Sequence, residues 1–219
     1  MSLKADGAVL ASRVLDPYPL RALEASLADL PSRPGLRLNG RLALYDLLTQ
    51  DGIIGQLAAG AIGPDARPVR AVLFDKTAEA NWRLGWHQDR TIAVVRKQEI
   101  EGFGPWSVKA GLVHVEPPFA FLERMVTLRV HLDPVGPDNA PLLIAPGSHR
   151  LGRIPVNQIE DVVAASGAQA CLADAGDVWI YSTPIIHASD VAVRPWRRRV
   201  LQVDYSAEAL PGGLEWLGV

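Results

Sequence analysis

Two short segments carry side chains that could share one metal ion. Trp86-His87-Gln88-Asp89 offers an imidazole and a carboxylate two residues apart, and His187, 98 residues beyond Asp89, offers a second imidazole. Two histidines and one carboxylate can occupy one face of an iron(II) ion and leave the other face open to small molecules. Arg198 follows His187 by eleven residues. A guanidinium there could hold the far end of a dicarboxylate co-substrate, because its planar fork permits a bidentate contact that lysine cannot copy.

A His-x-Asp triplet is cheap. Chance alone yields one in roughly one chain in three of this composition, and His131-Leu132-Asp133 is a second example. Residues two apart on an extended strand share a face, so either pair could present two ligands to one ion. His131 and Asp133 belong to the alternation Thr127, Arg129, His131, Asp133, opposite Val126, Leu128, Val130 and Leu132. That pattern also describes an ordinary half-buried strand. Asp133 precedes Pro134 and Gly136, where an aspartate commonly caps a turn. His187, on the short apolar run Ile185–Ser189, gains value from the basic run after it. Strand alternation sends Arg197 and Arg199 to one side and Arg198 to the other, one buried guanidinium between two exposed ones.

These residues need elements to position them. Leu20, Leu23, Leu27 and Leu30 recur at helical spacing before Pro31, and a second helix is predicted over Arg41–Leu48. From Val69 the pattern changes to short strands between Gly, Pro, Asn and Asp clusters. They are predicted at Val69–Phe74, Trp86–Val95, Val108–Val115, Thr127–Asp133, Leu142–Ala145, Ala168–Leu172, Asp177–Tyr181, Ile185–Ser189 and Arg198–Tyr205. Helical interruptions are predicted at Phe119–Arg124 and Asn157–Ala165. Eight or nine short strands after a helical segment predict an all-β core with flanking helices, a double-sheet jelly roll carrying helices on one outer face. One domain over 1–219 is expected, with 1–66 a mainly helical layer and 67–207 the jelly-roll core.

Composition sets the remaining bounds. Hydrophobic residues are 48% of the 219, enough for a sizeable core. Lys plus Arg number 22 against 24 Asp plus Glu, a net charge of -2, so no nucleic acid or acidic membrane is expected as a partner. The only cysteine, Cys171, excludes an internal disulfide and fits a reducing compartment. The N-terminus lacks the basic-then-apolar layout of a secretion signal. The most apolar tract, Gly52–Pro64, is too short and broken to span a bilayer. A cytoplasmic protein acting on a small molecule is expected, with its oligomeric state left open.

From about Val69 to Tyr205 the chain resembles the phytanoyl-CoA dioxygenase family of iron(II)/2-oxoglutarate-dependent oxygenases. The resembling pieces are Trp86-His87-Gln88-Asp89, then Asp138-Asn139-Ala140-Pro141-Leu142 leading to Pro146-Gly147-Ser148-His149, then His187-Ala188-Ser189 with Arg198. The resemblance implies a double-stranded β-helix of cupin type, with His87, Asp89 and His187 as ligands of Fe(II). It implies Arg198 and Ser189 as partners of the distal carboxylate of 2-oxoglutarate, and O2 as the second co-substrate. On this alignment His131–Asp133 is not the metal pair, and the Thr127/Arg129/His131 face points into the barrel. Arg129 stands where several relatives carry tryptophan against 2-oxoglutarate, which suggests a second cationic contact. Ala140 stands where the turn usually has glycine.

The activity implied is hydroxylation, with release of succinate and CO2. Asp89 fills the position a halide would need. Lys76, Trp82, Trp86 and His131 are candidates for the substrate's surroundings, and with Lys109 and Arg129 they suggest a polar or anionic molecule. Two other classes stay open: a non-catalytic jelly-roll binding module, and a cupin-type metalloenzyme that does not use 2-oxoglutarate.

Overall fold

The alternating two thirds of the chain, with two short strands from the first third, forms three antiparallel sheets in the computed structural model, which describes residues 1–219. In chain order the strands are β1 (Ala8–Ala11), β2 (Leu36–Leu38), β3 (Arg67–Lys76), β4 (Leu84–His87), β5 (Ile92–Val94), β6 (Trp106–Lys109) and β7 (Leu112–Val115). Then follow β8 (Val126–His131), β9 (Leu142–Ile144), β10 (Gln169–Cys171), β11 (Val178–Ser182), β12 (His187–Ser189) and β13 (Arg198–Ser206). The helices are α1 (Leu3–Asp6), α2 (Pro17–Leu27), α3 (Tyr45–Leu48), α4 (Ile53–Ile62), α5 (Phe119–Glu123) and α6 (Ile159–Ser166). No helix is long and apolar enough to cross a membrane.

A six-stranded sheet runs β1-β11-β8-β13-β3-β2, a four-stranded sheet β10-β9-β12-β4, and a three-stranded sheet β5-β7-β6. The first two make the jelly roll. One face of the six-stranded sheet presents Leu128, Val130, Leu201 and Val203 to Leu23 and Leu27 of α2, Leu48 of α3 and Ile54 and Ala58 of α4. Each such aliphatic side chain withdrawn from water contributes about 1.5–3 kcal/mol. The opposite parity of the same strands carries Thr127, Arg129, His131, Gln202 and Asp204, all buried as well. A sheet covered on both faces should read as a continuous apolar run. A buried face this polar is the departure that marks the site.

Several predicted elements divide differently. Trp86–Val95 is not one strand: β4 pairs with β12 and β5 with β7, in separate sheets, and Gln88–Thr91 crosses between them. Val108–Val115 lies in a hairpin. Ala110 and Gly111 both take positive φ, 52° and 81°, as a two-residue turn between twisted strands requires. Beside its helices, the segment 1–66 also carries β1 and β2, which supply the two edges of the large sheet. The tract Gly52–Pro64 contains α4. Gly55 there lies so close to the Leu48 and Thr49 carbonyls that a Cβ would strike backbone.

Candidate metal and co-substrate centre

The register of β12 on β4 puts His187 directly opposite His87, with ring centroids 4.3 Å apart. Asp89 follows two residues beyond the end of β4. One ligand atom from each of His87, Asp89 and His187 lies within 4.8 Å of the others. Each histidine places Nδ1 against the carbonyl two residues earlier, His87 on Gly85 at 2.8 Å and His187 on Ile185 at 2.9 Å. A carbonyl only accepts, so Nδ1 carries the proton and Nε2 keeps its lone pair for a cation. Burial, and then the neighbouring His87, push His187 down to about 4, which keeps it neutral at ordinary pH. Burial disfavours the Asp89 anion, but neighbouring positive charge, Arg70 first, outweighs it and holds the carboxyl below its usual range. No such group forms around His131 and Asp133. Asp133 accepts from the Arg199 guanidinium at 2.7 and 2.9 Å.

Neighbouring residues hold the three candidate ligand side chains in place. Gln88 is buried and points away from the metal side. Its amide donates to Gly152 O at 3.0 Å and Pro184 O at 2.9 Å and accepts from Ile154 N at 2.9 Å. Ser148 Oγ accepts from Ile186 N at 2.9 Å, and Ile186 O accepts from Ala145 N at 2.9 Å. The Pro146-Gly147-Ser148-His149 segment therefore clamps the residue just before His187. Behind Asp89, Arg70 donates to Asp89 at 3.3 Å and also to Asp204, which accepts from Thr127 Oγ1 at 3.0 Å.

A cavity of about 400 Å³ opens beside His87, Asp89 and His187 and is lined by Arg129, Arg198, Ser189 and Gln202. Alternation turns Arg198 inward. Arg197 faces the other way to Asp75 (3.0 Å) and Arg199 to Asp133 and Glu24. Arg198 donates to Ala140 O, and Ser189 Oγ lies 3.4 Å from the same carbonyl. Arg129 donates to Gln202 Oε1 at 2.9 Å and stacks over Phe74 at 5.3 Å. Both guanidiniums are buried, neither has a carboxylate partner, and the Nε of each lacks any hydrogen-bond partner. Burial, with Arg129 second, pushes Arg198 down to about 9. Two buried cations with idle donors are costly unless an anion joins them. The donor set thus fits a divalent iron, and the idle guanidinium nitrogens fit a carboxylate.

Trp82 lines the cavity. Lys76 is fully buried beside it, with Nζ donating to the Trp82 and Asp190 carbonyls at 2.7 and 2.8 Å. Trp86 points the other way and packs with Ala145, Ile154, Ile159 and Ile186. His131 is buried beyond the cavity lining, with neither ring nitrogen hydrogen-bonded. Sequence reasoning missed Arg70, Gln88, Gln202 and Asp204. Counting by twos from Arg198 along β13 would have reached Gln202 and Asp204, since all share its inward parity.

The phytanoyl-CoA dioxygenase family model matches residues 3–193. No curated protein matches the chain by sequence. Among solved structures, AviO1 from Streptomyces viridochromogenes is similar with a TM-score of 0.65 and 20% identity, over 95% of this chain and 93% of that one. EctD from S. alaskensis, in its apoform, gives 0.70 and 18%, over 99% and 78%. HygX from Streptomyces hygroscopicus, determined with nickel and 2-oxoglutarate bound, gives 0.58 and 15%, over 93% and 84%. These structures share the jelly-roll fold. With the ligand geometry and the family match together, the chain belongs to the phytanoyl-CoA dioxygenase family and is an iron(II)/2-oxoglutarate-dependent dioxygenase.

Proposed function

We propose that the protein hydroxylates a small polar or anionic molecule at iron held by His87, Asp89 and His187. The distal carboxylate of 2-oxoglutarate pairs with Arg198 and Ser189, and Arg129 supplies a second cation. The observation that carries this reading is the pair of buried, carboxylate-free guanidiniums in the same cavity as the three ligands. A bare binding module has no use for them. When bound, iron, 2-oxoglutarate and O2 supply the oxidation that converts a C–H group to C–OH, one oxygen atom entering the product and the other the succinate formed with CO2. The chain's own work is positioning and exclusion of water. The carbonyl bonds of His87 and His187 fix both rings. Val72, Phe74, Trp82, Leu84 and Leu142 give the cavity apolar walls. Asp89 occupies the ligand position a halide would need, which favours hydroxylation over halogenation. Cytoplasmic residence belongs to the same proposal and rests on Cys171 being the only cysteine.

Anaerobic titration with Fe(II), with and without 2-oxoglutarate, tests the site through the charge-transfer absorption of the complex. His87→Ala should abolish iron binding while His131→Ala spares it. Arg198→Ala should weaken 2-oxoglutarate by at least about tenfold, the loss of a charge-assisted bidentate contact, and Arg197→Ala should leave it unchanged. Iron binding without any absorption change on adding 2-oxoglutarate would overturn the reading in favour of a cupin-type metalloprotein.

A further inference from the structure

Five cationic side chains line the cavity against a single carboxylate, Asp89. Three already have work: Arg129 and Arg198 are assigned to the co-substrate, and Arg70 bridges Asp89 and Asp204. Arg37 on β2 and Lys109 at the end of β6 do not. Neither has a carboxylate within 4 Å, unlike the paired arginines elsewhere in the chain. Arg37 Nε is buried with no hydrogen-bond partner, and Lys109 Nζ touches only Thr91 Oγ1 at 3.2 Å. Burial first, and Arg70 next, hold both groups below their ordinary values, as expected of cations crowded by like charge.

The two stand apart from the co-substrate pair in the fold, Arg37 on an edge strand of the large sheet and Lys109 in a separate sheet. Arg129, Gln202, Val72 and Arg37 stand in one row across β8, β13, β3 and β2. Three strand spacings, about 14 Å, separate the backbone of Arg37 from that of Arg129. A second hollow continues outward from the same rim, sharing Pro34, Gly35 and Arg37 with the cavity and adding Arg33 and the Ala110 turn.

We propose that Arg37 and Lys109 form an oxyanion subsite for the primary substrate, which is therefore a small molecule with a carboxylate or phosphate at one end and its reacting C–H toward the metal ligands. This rests on the proposed placement of iron and 2-oxoglutarate, and it assigns the substrate's charged end to residues outside that placement. Pairing a polar anchor with the apolar wall of Val72, Phe74 and Trp82 fixes orientation as well as affinity.

Calorimetric titration of anaerobic protein loaded with Fe(II) and 2-oxoglutarate tests it, with phenyl phosphate and benzoate as anionic probes and phenol as the neutral control. Both anions, or one of them, should bind at least about tenfold more tightly than phenol, as charge-assisted contacts imply, and the preferred anion names the substrate's group. Arg37→Met with Lys109→Met keeps the apolar stems. That double variant should lose the anion preference while the 2-oxoglutarate absorption band persists, which also shows that it folds. Equal anion binding in wild type and double variant would overturn the subsite, as would loss of binding with Arg198→Met instead. If wild type forms no band, the 2-oxoglutarate reading is what fails, and the same titrations on metal-free protein still decide for or against Arg37 and Lys109.

Discussion

Ala140 shows how a single residue can set the geometry of a charge. It sits at φ 50°, the left-handed region that costs an L-residue with a Cβ about 1–2 kcal/mol. Its carbonyl nonetheless accepts from Arg198 and stands 3.4 Å from Ser189 Oγ. The turn is thus kept in a strained conformation that aims one oxygen at both proposed co-substrate partners. Ala140→Gly should relieve the strain and raise unfolding stability by about 1 kcal/mol, read by urea denaturation. A loss of stability would mean that the left-handed turn is not strained. The same residue accounts for a departure noted in the sequence: the family's glycine is missing, but the backbone conformation that glycine serves is present.

At the scale of elements, the proposed metal ligands depend on strands too short to hold themselves. β4 has four residues and β12 three. Their mutual register is secured from outside, by Gln88 across to Gly152, Ile154 and Pro184, and by Ser148 on Ile186. Removing a buried side chain that satisfies three backbone groups leaves them unpaired, at about 1–3 kcal/mol each at most. Gln88→Ala should therefore lower stability by about 2–4 kcal/mol and weaken iron binding by about tenfold or more, as loss of supporting hydrogen bonds around ligands does. Metal titration alongside denaturation checks both, and unchanged iron affinity would show that β12 alone holds the ligand register. Gln88 was hidden in the sequence because nothing local distinguishes it from any residue between two ligands. Its partners are 64 to 96 positions away.

Across the whole molecule, the large sheet separates two interiors. Helices cover its apolar face, and its polar face, with Arg129, His131, Gln202 and Asp204, lies inside the jelly roll. His131 is held neutral there, pushed down from 6.5 to about 3 by burial and then by Arg129 and Arg198. The unfolded chain binds a proton at His131 below about pH 6.5 and the folded chain does not, so stability falls as pH drops from there towards 3. Between pH 7 and 5 this one group costs about 2 kcal/mol. His131→Leu should remove that part of the loss, making the variant's stability in metal-free protein less dependent on pH over that interval. An unchanged pH slope would show that His131 titrates normally.

Legible from the chain alone are the alternation that made the sheets, the helix over the first leucine run, the inward turn of Arg198 between two outward arginines, and the order of the proposed metal-ligand segments. All of these are encoded within a few residues, by side-chain period and turn chemistry. Between the two His-x-Asp pairs, which the family resemblance ranks, the physical reason for the choice lies in the fold. Asp133 is committed to Arg199, whereas Asp89 meets His187 because β12 registers on β4 across almost 100 positions. The same holds for the division of Trp86–Val95 between two sheets and for the use of β1 and β2 as sheet edges. It also holds for the approach of Arg37 and Lys109 to one cavity, since their strands lie in different sheets. Which strand a segment pairs with is set by the competition of distant apolar faces for burial, and no local pattern carries that choice.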